Sequence, residues 1–269
     1  VPDLPPLRDV IARHGLRARK SLGQNFLLDL NLTGRIARAA GVTPGMNVIE
    51  IGPGPGGLTR ALLAAGAFVQ AIEMDERCIG ALSELGEAYP GQLTLHQGDA
   101  LKVDVTTLCP APRRIVANLP YNVATPLLLG WLRQVAAFDS FTLMFQKEVA
   151  DRLLAEPGTK AYGRLAVITQ WLCDVQREFN VDKAAFTPPP KIMSTVVTLT
   201  PRPAPLAPAN WECLEKVTAA AFGQRRKMLR ASLKPLNLDL EALGITPTAR
   251  AEELPVEAFC TLARAIEYS

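Results

Sequence analysis

At 269 residues, 48% of them hydrophobic and 20% charged, the chain exceeds one typical domain and can fill a sizeable core. Five cysteines scattered at 78, 109, 173, 213 and 260, with no CxxC pair, argue against a disulfide framework or a zinc site, and no apolar run approaches the roughly 18 residues of a membrane span. A net charge of +3 is too small to prove a polyanionic partner, so its distribution carries more information than its sum.

Charges at Asp3, Arg8 and Asp9 with no apolar run behind them leave no secretory segment, so a reduced, cytoplasmic protein is expected. Residues 8 to 20 form a basic arm, with Arg8, Arg13, Arg17, Arg19 and Lys20 against Asp9 alone. From Asp29, apolar residues at 32, 36, 39 and 40 have helical spacing, with Asp29 as N-cap and Gly41 as stop. Next, Asn47 to Ile51 reads as a strand, followed by the glycine cluster Gly52-Pro53-Gly54-Pro55-Gly56-Gly57 and a helix carrying Leu58, Leu62 and Leu63.

Further strands are expected at 68–72, 93–96, 114–118 and 140–145, separated by helix-length segments, which is the pattern of an α/β doubly wound sheet. A last run, 194–200, is expected along the sheet edge. Prolines at 201, 203, 205 and 208 then predict a semi-rigid connector over 201–209. Beyond it, 211–222, 225–236 and 256–266 read as short helices. The expected organisation is a catalytic domain over 1–200 with its basic arm, the linker 201–209, and a small C-terminal helical domain over 210–269.

The glycine cluster follows a strand and opens a helix, and Glu73 ends the second strand about 20 residues on, the literal arrangement of a dinucleotide site. A phosphate cradle needs loop amide donors, however, and Pro53 and Pro55 remove two of them. A ligand with a ribose and a cationic centre but no phosphate fits better, and S-adenosylmethionine is such a ligand. Glu73 could accept from its ribose hydroxyls, and Asp99, past the third strand, from its adenine amino group.

After the fourth strand comes Asn118-Leu119-Pro120-Tyr121. An adenine amino group is a poor nucleophile because its lone pair is delocalised into the ring. Two acceptors aimed at its N–H bonds, the Asn118 side-chain oxygen and a carbonyl held by Pro120, expected to be that of Leu119, would draw the nitrogen toward tetrahedral geometry without a strong base. Tyr121 offers a face for an extruded base. Phe186, before Thr187-Pro188-Pro189-Pro190-Lys191, could sandwich the base from the other side, or could be core.

These motifs in this order resemble the small-subunit ribosomal RNA adenine dimethyltransferases. The likeness runs from Lys20 to Leu236 through Leu22-Gly23-Gln24-Asn25-Phe26-Leu27, the glycine loop, Glu73-Met74-Asp75, Gly98-Asp99-Ala100, Asn118 to Asn122, Gln146 to Ala150, Tyr162-Gly163-Arg164, Phe186 to Lys191 and Gln224-Arg225-Arg226-Lys227. The resemblance implies a Rossmann-like class I methyltransferase sheet. It implies that Asn25 and Leu27 join Gly52, Glu73, Asp99 and Asn118 around the cofactor. It also implies dimethylation of two adjacent adenosines in a hairpin loop near the 3′ end of the small-subunit RNA, in small ribosomal subunit biogenesis.

In the stretch from Arg225, read as a helix, Arg226, Lys227, Arg230 and Lys234 share one face while Met228, Leu229 and Leu233 occupy another. With Arg225, these bases are expected to position ribosomal RNA by its phosphates. Three competing readings remain: a nicotinamide dehydrogenase, a nucleic-acid-binding protein with a vestigial pocket, and a relative that methylates one adenine of large-subunit RNA. No metal and no membrane are expected, and a monomer is the default.

Overall fold

The computed structural model describes residues 1–267; residues 268 and 269, the end of the expected helical domain, lie outside the described residues. The chain divides into two compact units. One holds Val1–Lys147 and Gln176–Thr200; the other holds Glu148–Val175 and the chain from Pro201 onward.

In the first unit the elements run α1 (Leu7–Arg13), β1 (Phe26–Leu27), α2 (Leu30–Ala39), β2 (Asn47–Ile51), α3 (Gly57–Ala64), β3 (Phe68–Glu73), α4 (Glu76–Ala88), β4 (Leu93–Gln97), β5 (Arg113–Asn118), α5 (Ala124–Leu132) and β6 (Ser140–Gln146). After α6 (Lys147–Leu154), α7 (Arg164–Leu172) and β7 (Cys173–Val181) come β8 (Phe186–Thr187) and β9 (Ser194–Pro201). The main sheet has the order β4-β3-β2-β5-β6-β9-β7. Pairs β2 with β3, β3 with β4, β2 with β5 and β5 with β6 are parallel, whereas β9 runs antiparallel to β6.

Strand order reverses between β2 and β5, and at such a switch point the connecting helices leave a crevice at the strands' carboxyl ends. Central strands of a sheet covered on both faces must be apolar on both sides, and β2, Asn47-Val48-Ile49-Glu50-Ile51, is buried from Val48 onward. Asp29 caps α2 by accepting from Asn31 and Leu32 N–H, and the chain leaves that helix at Gly41 with φ +64°. Leu27, Ile36, Val48, Leu62, Val69 and Val116 share one buried cluster. A satellite cluster of Val10, Leu16, Cys78, Ala81 and Leu82 docks α1 onto α4.

Two expectations about the sheet need correction. The run at 194–200 lies inside the sheet rather than at its edge, because β7 takes the place beside it. Nothing in Cys173-Asp174-Val175-Gln176-Arg177-Glu178-Phe179-Asn180-Val181 announces β7, since its solvent-facing polar residues break the apolar alternation.

The second unit comprises most of α6, all of α7, and α8 (Trp211–Gly223), α9 (Leu229–Ser232) and α10 (Val256–Glu267). Its core includes Tyr162, fully buried, whose hydroxyl donates to the Leu254 carbonyl at 2.7 Å. The Phe222 and Phe259 rings pack with centroids 5.3 Å apart. Glu148–Val175 thus group with this unit, although they precede the proline-rich stretch and the sequence reading places them with the sheet. That stretch is no free connector: Arg202 N–H donates to Leu172 O and Leu206 N–H to Trp171 O, both at 2.8 Å, and the Trp171 indole donates to Ala207 O.

Candidate functional site

A cavity opens at the carboxyl ends of β2 through β5, lined by the glycine loop, the turns after β3 and β4, the Asn118–Val123 loop and the segment Ser21–Leu27. All of it belongs to the first unit. The local sequence dictates this close arrangement. A Cβ on Gly57 would stand 2.3 Å from the Leu27 carbonyl oxygen, so only glycine lets the Asn25–Leu27 segment lie on the start of α3. Gly54, at φ +56°, turns its N–H toward Glu73.

Glu73 ends β3 and is 6% exposed. Its Oε2 accepts from Gly54 N–H at 2.9 Å and its Oε1 from Asp75 N–H at 2.8 Å. Burial pushes its pKa up, and those two donors oppose the shift. A carboxylate oxygen has room for two bonds, so each Glu73 oxygen keeps one acceptor position, enough for a vicinal diol. Asp99 Oδ1 accepts from Leu101 N–H at 3.0 Å, capping the short turn after β4. Met74 and Leu101, 54% and 51% exposed, are large apolar side chains on the cavity wall beside these acids, suited to a flat heterocycle.

Beside Glu73 lies a second acid, Glu50 of β2, 2% exposed. Its Oε2 accepts from the Thr59 hydroxyl at 2.6 Å. Burial pushes its pKa up to about 8 against that hydrogen bond, and the Glu73 charge adds to the rise. The cavity wall therefore carries a carboxyl group that burial holds toward its neutral form.

On the opposite side, the Asn118 amide donates through Nδ2 to the Asn25 carbonyl at 3.3 Å. Fixing the NH2 end leaves Oδ1 as the end free to accept. Pro120 O accepts from Val123 N–H at 3.1 Å and closes the turn, while Leu119 is 1% exposed. Tyr121 lines the cavity, and its hydroxyl shares a 2.5 Å hydrogen bond with Ser194 of β9, which fixes the ring. Asn25, Leu27, Gly52, Glu73, Asp99, Asn118, Leu119, Pro120 and Tyr121 thus surround one cavity.

Phe186 does not join them. It is 2% exposed, sits in the buried cluster with Leu27 and Val196, and pairs with Leu27 between β8 and β1. Its ring packs in the core, the second of the two readings that the sequence left open, and it backs the strand that carries Leu27.

The basic segment also departs from expectation. Residues 225–236 are not one helix: Met228 is extended and bridges Arg250, and only α9 and one short turn at Lys234–Leu236 are helical. Arg225 is spent internally, donating to Glu252 at 3.0 Å and to the Thr159 carbonyl at 3.2 Å. Arg226, Lys227, Arg230 and Lys234 are exposed. On the N-terminal arm, Arg13 pairs with Glu84 at 2.7 Å. Among the described residues, no group of three or more His, Cys, Asp or Glu is placed to hold a metal, and no helix is long and apolar enough to cross a membrane.

Four residues on or behind the cavity wall were given no role by the sequence: Gln24, Glu50, Asp75 and Ser194. Glu50 carried a signal, an acid inside an otherwise apolar strand. Asp75 carried another, since it N-caps α4. Ser194 comes to Tyr121 only through the pairing of β9 with β6, which no local pattern encodes.

A family model described as ribosomal RNA adenine dimethylase matches residues 15–267. The chain is 68% identical to a ribosomal RNA small subunit methyltransferase A of Rhodospirillum rubrum, over 98% of this chain and 93% of that one. It is 67% identical to the protein of that name from Paramagnetospirillum magneticum, over 98% and 96%. Among solved structures, a dimethyladenosine transferase from Plasmodium falciparum superposes with a TM-score of 0.80 at 28% identity, covering 90% of this chain and 98% of that one. The 23S rRNA methyltransferase ErmE gives 0.68 at 27% identity, over 90% and 100%.

Proposed function

The chain belongs to the ribosomal RNA adenine dimethylase family, and from that premise we propose that it dimethylates N6 of two adjacent adenosines in the 3′-terminal hairpin loop of small-subunit (16S) ribosomal RNA. It is a methyltransferase of the class I fold, acting in small ribosomal subunit biogenesis. The observation that carries the chemistry is the paired commitment around one cavity: two acids with unused acceptor positions on one side, and an asparagine held by its NH2 end on the other.

The donor set fits S-adenosylmethionine, which supplies an electrophilic sulfonium methyl group when bound. Glu73 would take the two ribose hydroxyls, Asp99 Oδ2 the adenine amino group, and Met74 and Leu101 would flank the adenine ring. Asn25 and Leu27 would hold the methionine end, with Gly52 and Asn118 completing the cofactor set. Across the cavity, Asn118 Oδ1 and the Leu119 carbonyl accept the two hydrogens of the target N6, with Pro120 holding the loop. This would localise the nitrogen lone pair toward the methyl group that a bound sulfonium would supply, with the sulfur leaving as a neutral thioether and the N6 proton passing to solvent. Tyr121, fixed by Ser194, stacks on the extruded adenine, a contact of about 1 to 3 kcal/mol by analogy with single-strand stacking.

Arg226, Lys227, Arg230 and Lys234 neutralise phosphates of the small-subunit RNA, whereas Arg225 holds its own unit together. The protein works on the small ribosomal subunit in the cytoplasm as a monomer. The test is mass spectrometry of nucleosides from unmethylated small subunits incubated with protein and S-adenosylmethionine. Dimethyladenosine in small-subunit RNA is expected. Product only in large-subunit RNA would transfer the reading to the single-adenine relatives, and cofactor binding without product from either would make the chain an RNA-binding protein.

A further inference from the structure

The segment in front of Asn25 is tied down by a hydrogen-bond network that none of the roles above uses. Gln24 donates through Nε2 to Asp75 Oδ2 at 2.8 Å and accepts at Oε1 from Arg19 N–H at 2.8 Å. Asp75 is 5% exposed, and Arg77 grips both of its oxygens, at 2.9 Å from Nε and 2.5 Å from Nη2. Arg77 reaches further, donating to the Arg17 carbonyl at 3.1 Å. The Asp75 N–H in turn donates to Glu73 Oε1.

The next residue along, Asn25, offers the carbonyl that holds the Asn118 amide. Gln24 and Asn25 therefore span the cavity: the first is fastened to the turn behind Glu73, the second to the catalytic loop. A free asparagine side chain on a loop end rotates about χ1 and χ2, and its broad terminal torsion gives no preference for the orientation that points Oδ1 at the substrate. Among the described residues, the Asn25 carbonyl is the partner that orients this amide, and it lies between the fastening at Gln24 and the pairing of Phe26 with Thr187.

Resting on the proposed role of Asn118, we infer that Gln24 is a positioning residue for methyl transfer: anchored by Asp75 and Arg77, it fixes the Asn25 carbonyl and thereby the acceptor oxygen of Asn118. The chain of contacts also joins cofactor and target sides, because Glu73 Oε1 shares the Asp75 backbone with the same anchor. A misplacement of about 1 Å in a reacting geometry costs up to about 100-fold in rate.

The test uses full-length Gln24→Ala and Asp75→Ala proteins beside the wild type. Turnover is measured at saturating S-adenosylmethionine and small subunits. Affinity for S-adenosylhomocysteine is measured by calorimetry, the melting temperature is recorded, and the Asn118 side-chain amide is followed by 15N-asparagine NMR. With Gln24→Ala, kcat is expected to fall about 10-fold or more at saturation, with the Asn118 amide resonances displaced and the protein still cooperatively folded. Asp75→Ala should reproduce the kcat loss and add a larger loss of cofactor affinity through Glu73.

An unchanged kcat with only a raised KM for the cofactor would overturn the inference and reduce Gln24 to cavity wall. So would a lowered kcat with unmoved Asn118 resonances. If Gln24→Ala melts below the assay temperature, the resonances and turnover of Asp75→Ala decide by the same criteria, and if both do, the segment is a folding element and the inference fails. Wild-type turnover in Asn118→Ala would instead remove the acceptor reading itself, whatever Gln24 does.

Discussion

The carboxyl edge of the sheet and the basic stretch from Arg225 to Lys234 use polar side chains in opposite ways. At the sheet edge three functional groups are partly committed: Glu73 accepts a backbone N–H on each oxygen, Asp99 caps a turn with one oxygen, and Asn118 gives one N–H to the Asn25 carbonyl. In the basic stretch, Arg225 is spent on Glu252 and Thr159, while Arg226, Lys227, Arg230 and Lys234 stand exposed. Half commitment fixes direction at the cost of adaptability, which suits a reacting nitrogen; exposure leaves reach, which suits phosphates whose positions vary.

The hardest break of this contrast is Asn118→Ala. It should lower turnover by roughly 100- to 1000-fold, the scale of losing one oriented polar group at a developing charge, with S-adenosylhomocysteine affinity changing only a few fold. Single-turnover rates with small subunits measure the first number and calorimetry the second. A comparable loss of both would mean that the asparagine holds cofactor and not the target amine.

Next in size is Glu73→Gln. The amide cannot accept on both sides, and its NH2 end faces a backbone N–H, either that of Gly54 or that of Asp75. Cofactor affinity should drop by about 10- to 100-fold, read by calorimetry, consistent with one lost charge-assisted bond and one unmet donor. Turnover at saturating cofactor should change much less.

On the basic side, Arg226→Ala with Arg230→Ala should flatten the logarithmic dependence of RNA affinity on salt by about 1.4 to 1.8. Arg225→Ala should leave that slope alone and instead lower the melting temperature by a few degrees, since a half-buried ion pair and a carbonyl partner are lost. A slope change in Arg225→Ala would erase the distinction drawn here between spent and free cations.

A separate effect, on stability and not on function, concerns Glu50. With its pKa raised from 4.5 to about 8, the native state binds the proton more tightly than the unfolded chain does. Its contribution to stability is fully present below pH 4.5 and is lost as pH rises toward about 8, so the cofactor-free protein should lose stability across that window. Denaturant midpoints at pH 5.5 and 8 should differ less in Glu50→Gln than in the wild type. An equal slope in both proteins would assign the pH dependence to other groups.

Legibility in the sequence followed the same division. The run from β2 through the glycine loop into α3, and the loop Asn118 to Tyr121, were readable because their meaning is local: strand, turn chemistry and helix start lie within a few residues. Phe186 was not readable, because a phenylalanine before a proline turn has the same local signature whether its ring faces a base or the core. The helix expected over 225–236 failed at Met228, whose extended backbone answers to Arg250, far along the chain. Glu50 stood out as an acid in an apolar strand but had no local partner to give it a role, and β7 hid behind its own polar face.

The two units interleave in sequence, changing over at 147/148, 175/176 and 200/201. No single cut in the gene therefore yields either one whole. A chimera that borrows the second unit from a relative must splice at all three places, and a stop codon placed at the proline-rich stretch would strand Glu148–Val175 without the helices that complete their core. For anyone trimming this enzyme to a minimal methyltransferase, the workable edit is an internal replacement of 148–175 combined with C-terminal truncation.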